Sequence, residues 1–205
     1  MIATTVAYGL TGSIGAGKSF VAAKLKEHGV CVYDADRAAK ELVATSEPLR
    51  EQIRTLLGAE AFTPSGKYHR EWVAQRIFTH PELRVKLEGI IHPAVFCNFI
   101  LWKQDATTTL PFLFMESALL PRLQWKDFLK GVVLVTATPA VRLQRVLHRD
   151  NTTPQQVEKR LAAQPSDVEF YAMAHYVLTN NGDDDLSQQI DHLITLLTRR
   201  HEIQC

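Results

Sequence analysis

Gly12, Gly17, Lys18 and Ser19 fill the fixed positions of the spacing G-x-x-x-x-G-K-[ST] within Gly9-Leu10-Thr11-Gly12-Ser13-Ile14-Gly15-Ala16-Gly17-Lys18-Ser19-Phe20. The chemistry open to these residues is the holding of a polyphosphate. Glycines let a backbone close around an anion with no Cβ in the way, and successive N–H groups then point their dipoles at the phosphate oxygens. A helix beginning at Lys18 adds unpaired N–H groups and the positive end of its dipole. Lys18 supplies a mobile charge for the β- and γ-phosphates, and the Ser19 hydroxyl can ligate Mg²⁺.

Two carboxylates come next, in Asp34-Ala35-Asp36 at the end of the apolar run Val30-Cys31-Val32-Tyr33. Ligands of open α/β sheets sit beyond the carboxyl ends of the strands, so both aspartates are candidates for metal and proton chemistry. Asp36 can also serve as the N-cap of a helix starting near Arg37. Further along, Arg142, Arg145 and Arg149 are spaced by three and four residues and share one helix face. They read either as a solvated face or as cations over a transferring phosphoryl group. Arg70 and His92 are singled out among the polar residues between these regions, where each is equally compatible with a plain surface role.

Positioning such groups requires strand, loop and helix in order. Residues 3 to 8 read as a β-prone run directly before the loop, and Val21, Ala22 and Leu25 recur at helical spacing after it. Gly29 closes that helix, and residues 30 to 33 form the second strand. Residues 37 to 105 read as helical, in segments 37 to 44, 48 to 57, 70 to 78 and 82 to 104. Pro93 is expected to bend or break the last of these. Apolar runs at 110 to 115, 132 to 135 and 176 to 179 supply three more strands. A helix–loop–helix around 140 to 170 reads as a lid, and a closing helix carries Leu186, Ile190, Leu193, Ile194 and Leu197 on one side. The expected fold is α/β: a mainly parallel sheet flanked by helices, made of residues 1–36 and 106–205, with a helical insert at 37–105.

Composition excludes several classes. In 205 residues with 46% hydrophobic content and a net charge of +1 there is no basic excess of the kind that marks a nucleic-acid surface. Cys31, Cys97 and Cys205 lack paired spacing, as expected of reduced thiols in a cytoplasmic protein. The N-terminus shows no basic region followed by a long apolar segment, and no stretch is expected to span a membrane.

Taken together, these residues resemble the dephospho-coenzyme A kinases along nearly the whole chain. The likeness is carried by Gly9-Leu10-Thr11-Gly12, Ile14-Gly15, Gly17-Lys18-Ser19, Asp34-Ala35-Asp36, Gly66, Arg70, Phe78 and His92-Pro93. Arg145, Arg149, Gln164 and Asn180-x-Gly182 complete it. The resemblance implies a P-loop kinase core, a lid and an insert that holds the coenzyme A precursor. It also implies transfer of the ATP γ-phosphoryl to the 3′-hydroxyl of that precursor's ribose, the last step of coenzyme A synthesis, by a monomer or weak homo-oligomer. Candidate ATP contacts are Gly12, Gly15, Ala16, Gly17, Lys18, Ser19, Phe20 and Asn180, and candidate acceptor contacts are Thr11, Asp36, Arg70 and His92. Lys18, Arg145 and Arg149 join the aspartates as catalytic candidates. Asp36 is read as the base, and Asp34 as reaching Mg²⁺ through water, although the family pattern holds both and leaves the choice open.

The chain departs from the pattern at Arg122, where a glutamate is usual unless Glu116 serves instead, at Arg142 for a glutamine, at His175 for an aspartate, and at Phe20 for a smaller residue. A kinase for a nucleoside or nucleoside monophosphate is the nearest rival. A regulatory nucleotide switch would call for a guanine-reading Asn-Lys-x-Asp segment, which the sequence does not contain.

Overall fold

The computed structural model describes residues 5–123 and 126–202. Ala3 and Thr4 of the first expected strand, and Cys205, lie outside the described residues. The chain divides into two compact units, a core of 1–34 with 106–205 and an insert of 35–105. The division falls after Asp34, so Asp36 belongs to the insert and not to the core.

Five strands form the core sheet: β1 (Val6–Thr11), β2 (Val32–Asp34), β3 (Phe112–Glu116), β4 (Val132–Thr136) and β5 (Tyr176–Thr179), in the order β2-β3-β1-β4-β5. All the pairings are parallel. Parallel strands are covered on both faces, which is why they read as unbroken apolar runs; Phe112, Leu113, Phe114 and Met115 are fully buried. The first strand runs to Thr11, three residues past its expected end, because Gly9, Leu10 and Thr11 pair with Val132, Val133 and Leu134. The strand order reverses at β1, and a crevice for ligand opens at such a switch point.

Helix α1 (Lys18–Glu27) follows the loop and buries Val21, Ala22 and Leu25. Gly29 ends it at φ 77°, the left-handed conformation that a side chain would oppose. The closing helix, labelled α9 (Leu186–Glu202), packs against it and buries Leu186, Ile190, Leu193 and Leu197, spaced by four and three residues. Each such side chain contributes roughly 1.5–3 kcal/mol on leaving water. The lid region is α6 (Pro139–Asp150), α7 (Pro154–Ala163) and α8 (Asp167–Met173). Thr153 and Ser166 start α7 and α8 with reciprocal capping boxes to Gln156 and Glu169.

The insert comprises α2 (Ala35–Thr45), α3 (Glu47–Leu57), α4 (Arg70–Thr79) and α5 (Pro81–Asp105) around Val43, Leu49, Ile53, Leu57, Phe62, Val73 and Leu87. Two expectations are corrected here. Helix α2 begins at Ala35, so Asp36 lies in its first turn and is not an N-cap. Helix α5 continues through Pro93; the proline removes the helical hydrogen bond to the Gly89 carbonyl. Contrary to expectation, α5 is also long and apolar enough to cross a membrane by length and composition. In the folded insert it packs against α2, α3 and α4.

Candidate active site

The loop between β1 and α1 takes the shape that its glycines allow. Gly12, Gly15 and Gly17 have φ of 146°, 80° and 103°. A Cβ on Gly12 would strike the Val135 carbonyl of β4, and one on Gly17 would strike the Asn180 amide, so both positions are closed to other residues. Gly17 caps α1, accepting from the Phe20 and Val21 amides at 3.1 and 3.2 Å. The Lys18 ammonium folds back to donate to the Gly12 carbonyl at 2.8 Å, beside the Ser13 carbonyl at 3.5 Å. Ser19, in the first turn of α1, is exposed.

Residues distant in sequence hold this loop. Asn180, just after β5, donates to the Ala16 carbonyl at 2.9 Å. Arg145 of α6 donates to the Asn180 main-chain carbonyl at 2.8 Å and to its side-chain oxygen at 3.1 Å, and reaches the Gly15 carbonyl at 3.5 Å. With Gly17, Phe20, Gly182 and Asp184, these two residues line a cleft of about 470 Å³. The structure thus gathers Lys18, Ser19, Phe20, Arg145 and Asn180 around one loop.

Other expectations resolve differently. The Thr11 side chain is fully buried and donates to the Ser117 carbonyl at 2.8 Å, so it ties β1 to the residue after β3. Arg142 is buried, with both terminal nitrogens 2.8 Å from the Asp167 carboxylate. The planar fork matches the carboxylate and fastens α6 to α8, which removes Arg142 from the arginines that could meet a phosphoryl group. Arg149 pairs with the neighbouring Asp150 at 2.7 and 3.1 Å. Arg149 first, and Arg160 of α7 after it, hold the Asp150 carboxyl down at about 2. The expected arginine face is therefore three separate devices.

Asp34 ends β2 in register with Glu116 at the end of β3. Arg122, the residue standing where a glutamate is usual, donates to the Ala163 and Gln164 carbonyls at 3.1 and 2.8 Å, with Glu169 3.5 Å away. Gln164 in turn accepts from the Ile14 amide at 2.9 Å and from the Ser13 hydroxyl at 3.3 Å. Its role escaped sequence reasoning because the partners are 150 residues apart; only its agreement with the family pattern drew notice.

In the insert, Asp36 is exposed on α2 and Arg70 starts α4. His92, on α5, is half-buried; burial lowers its pKa, with Glu88 opposing. Arg70 lines a groove with Lys40, Arg50 and Lys67, whereas His92 does not. Among the described residues no cluster of three His, Cys, Asp or Glu could hold a metal by itself. A Mg²⁺ ion in a phosphoryl-transfer site needs no such cage, since it keeps several waters and is held through one or two carboxylates plus substrate phosphates.

The dephospho-CoA kinase family profile matches residues 6–185. A dephospho-CoA kinase of Bacteroides fragilis is 34% identical over 197 residues, covering 96% of this chain and 95% of its own. Among solved structures, TT1252 from Thermus thermophilus superposes with a TM-score of 0.80 at 31% identity, covering 95% of this chain and 97% of its own. A dephospho-CoA kinase from Campylobacter jejuni shares the fold at a TM-score of 0.64 and 20% identity, with 95% and 98% covered.

Proposed function

The chain belongs to the dephospho-CoA kinase family, and from that premise we propose how its residues divide the work of the reaction. The activity is ATP-dependent phosphorylation of dephospho-CoA, which yields coenzyme A and ADP in coenzyme A biosynthesis. The observation that carries the assignment of roles is the loop Gly12–Ser19, with its three left-handed glycines and Lys18 drawn across it.

Loop amides and Lys18 hold the β- and γ-phosphates. Adenine takes the cleft beside Gly17, Arg145 and Asn180, where the half-exposed Phe20 offers a ring face. Mg²⁺ would be held by the Ser19 hydroxyl and by Asp34 through water, and would supply charge neutralisation to the phosphates. Asp36 accepts the proton of the acceptor's ribose 3′-hydroxyl, which lies beside the donor phosphoryl only once both substrates are bound. Arg145 offsets charge on the transferring group, and Arg149 joins it by exchanging its Asp150 partner for phosphate. The insert takes the acceptor through Arg70 and His92. Burial keeps His92 neutral, so it offers a hydrogen bond and not a charge.

The test is ADP formation with dephospho-CoA, a nucleoside, a nucleoside monophosphate and water, with the product located by phosphorus NMR. Turnover with dephospho-CoA alone, and a 3′-phosphate in the product, is the expected result. Faster turnover with a nucleoside monophosphate would replace this reading.

A further inference from the structure

Strand β5 lies at the rim of the sheet and pairs with β4 on its inner side. The outer edge of such a strand presents main-chain N–H and C=O groups that have no ladder partner. Asn180, just past β5, turns its amide inward to the Thr136 carbonyl of β4 at 2.8 Å. Thr179, one residue earlier, turns its main-chain groups outward.

At Thr179 a side chain takes the place of the missing neighbour. Gln189, in the first turn of α9, accepts from the Thr179 amide at 2.9 Å and donates to the Thr179 carbonyl at 3.0 Å. A glutamine amide carries the donor and the acceptor of a peptide group, so it can serve as one rung of an absent strand. Gln189 is itself anchored. Its main-chain amide donates to the Asp185 carbonyl at 3.2 Å, and the next residue, Ile190, is buried in the core with Leu186.

That rung fixes the residue that follows it. Asn180 donates from its side chain to the Ala16 carbonyl at 2.9 Å and receives Arg145 on its two oxygens at 2.8 and 3.1 Å. Beyond it, the Asn181 amide donates to the Asp184 carboxylate at 2.6 Å. The Asn181 side-chain oxygen accepts the Thr138 amide at 2.9 Å, where α6 with its Arg145 begins. Asn180, Asp184 and Leu186 line the cleft beside Gly17, whereas Gln189 does not. Gln189 thus stands behind the site, one main-chain step from a residue that shapes it.

We propose that Gln189 is a positioning residue for nucleotide binding: its side-chain amide completes the edge of β5 at Thr179 and so sets Asn180 against the phosphate loop and Arg145. This rests on the loop and its cleft being the nucleotide site. Gln189→Glu keeps the size of the side chain but turns an acceptor toward the Thr179 carbonyl, and Gln189→Met keeps the length and makes neither bond. Both leave Leu186 and Ile190 in place to dock α9.

The experiment measures kcat, both KM values and the thermal midpoint for the parent, Gln189→Glu, Gln189→Met, Asn180→Ala and the double variant Asn180→Ala with Gln189→Glu. MgATP binding without acceptor is followed by calorimetry in each. MgATP KM should rise about tenfold in Gln189→Glu and about threefold in Gln189→Met, with dephospho-CoA KM within about twofold of the parent. In the Asn180→Ala background the same Gln189→Glu change should add less than about twofold, because the two residues act through one contact. An unchanged MgATP KM in both Gln189 variants, with or without a lower thermal midpoint, overturns the proposal. So does a parallel rise in both KM values, or an undiminished effect of Gln189→Glu when Asn180 is alanine. MgATP binding that is the same in Asn180→Ala as in the parent overturns instead the placing of the nucleotide in this cleft, and the role of Gln189 with it.

Discussion

The side-chain carbonyl of Gln164 accepts the Ile14 amide hydrogen at 2.9 Å, so the segment between α7 and α8 is bonded directly to the phosphate loop. Arg122 grips the main chain on the far side, at the Gln164 and Ala163 carbonyls. The shape of the loop thus depends on the lid base as well as on its own glycines. Gln164→Ala leaves the Ile14 amide without its partner. MgATP KM should rise several-fold with a smaller effect on kcat, in line with the roughly 0.5–1.5 kcal/mol of one hydrogen bond. Steady-state kinetics at saturating acceptor checks this, and an unaltered KM would mean that the contact does not shape the loop.

On the proposed reading, Lys18→Ala removes a charge that faces the phosphates, worth several kcal/mol to a phosphoryl transition state. Turnover should collapse by about 10²-fold or more. The far-ultraviolet circular dichroism spectrum should match the parent, because Lys18 donates to the Gly12 and Ser13 carbonyls of the loop and lies outside the hydrophobic core. Near-normal ADP production by the variant would end the assignment.

Arg145 and Arg149 are distinguished by their partners. Arg145→Lys loses a fork that holds Asn180 at two points and reaches the Gly15 carbonyl of the loop, so kcat should fall about tenfold or more and MgATP KM should rise with it. Arg149→Lys leaves that network intact, so the loss should appear in kcat alone. If Arg149→Lys turns over like the parent, Arg149 only closes the corner with Asp150.

In the proposed roles, Asp36 serves the proton and Asp34 the metal. Loss of a general base typically costs about 10²–10⁴ in rate. Asp36→Asn should therefore lower kcat strongly while MgATP affinity, measured by calorimetry, stays within a few-fold. Asp34→Asn should weaken the dependence on Mg²⁺ as well. Loss of turnover in Asp34→Asn alone, with MgATP binding intact, reverses the roles.

Burial lowers the pKa of His92 below the ordinary 6.5. The unfolded chain then takes up this proton at a higher pH than the folded protein. Stability is accordingly full above pH 6.5, falls as the pH drops through that value, and levels off below the folded pKa. The urea midpoint of the parent, compared with that of His92→Gln, should lose ground between pH 7.5 and 5. A constant difference over that range would mean that His92 titrates alike in both states.

Local chemistry made much of this legible in the residues themselves. The loop spacing, the apolar runs of a parallel sheet and the helical period of α9 each announce an element whatever the rest of the chain does. What stayed hidden depends on partners brought together only by folding. Arg142 looked like a third lid arginine because a helix face cannot reveal Asp167, 25 residues away, on another helix. Thr11 stood among the candidate acceptor contacts, yet β1 runs far enough to bury its side chain. Pro93 looked like a helix break, but a single missing hydrogen bond is outweighed when α5 packs against three neighbouring helices.

The sheet order also sets a timetable for synthesis. β1 pairs only with β3 and β4, and β2 pairs with β3. No two strands of the core can therefore join until Phe112–Glu116 has been made, and by then residues 35–105 have already left the synthetic site as a set of helices with largely local contacts. The insert can condense while the phosphate-loop strand is still waiting for a neighbour. Translation thus delivers the helices of the insert first, and the loop between β1 and α1 acquires its shape only when the second half of the chain arrives.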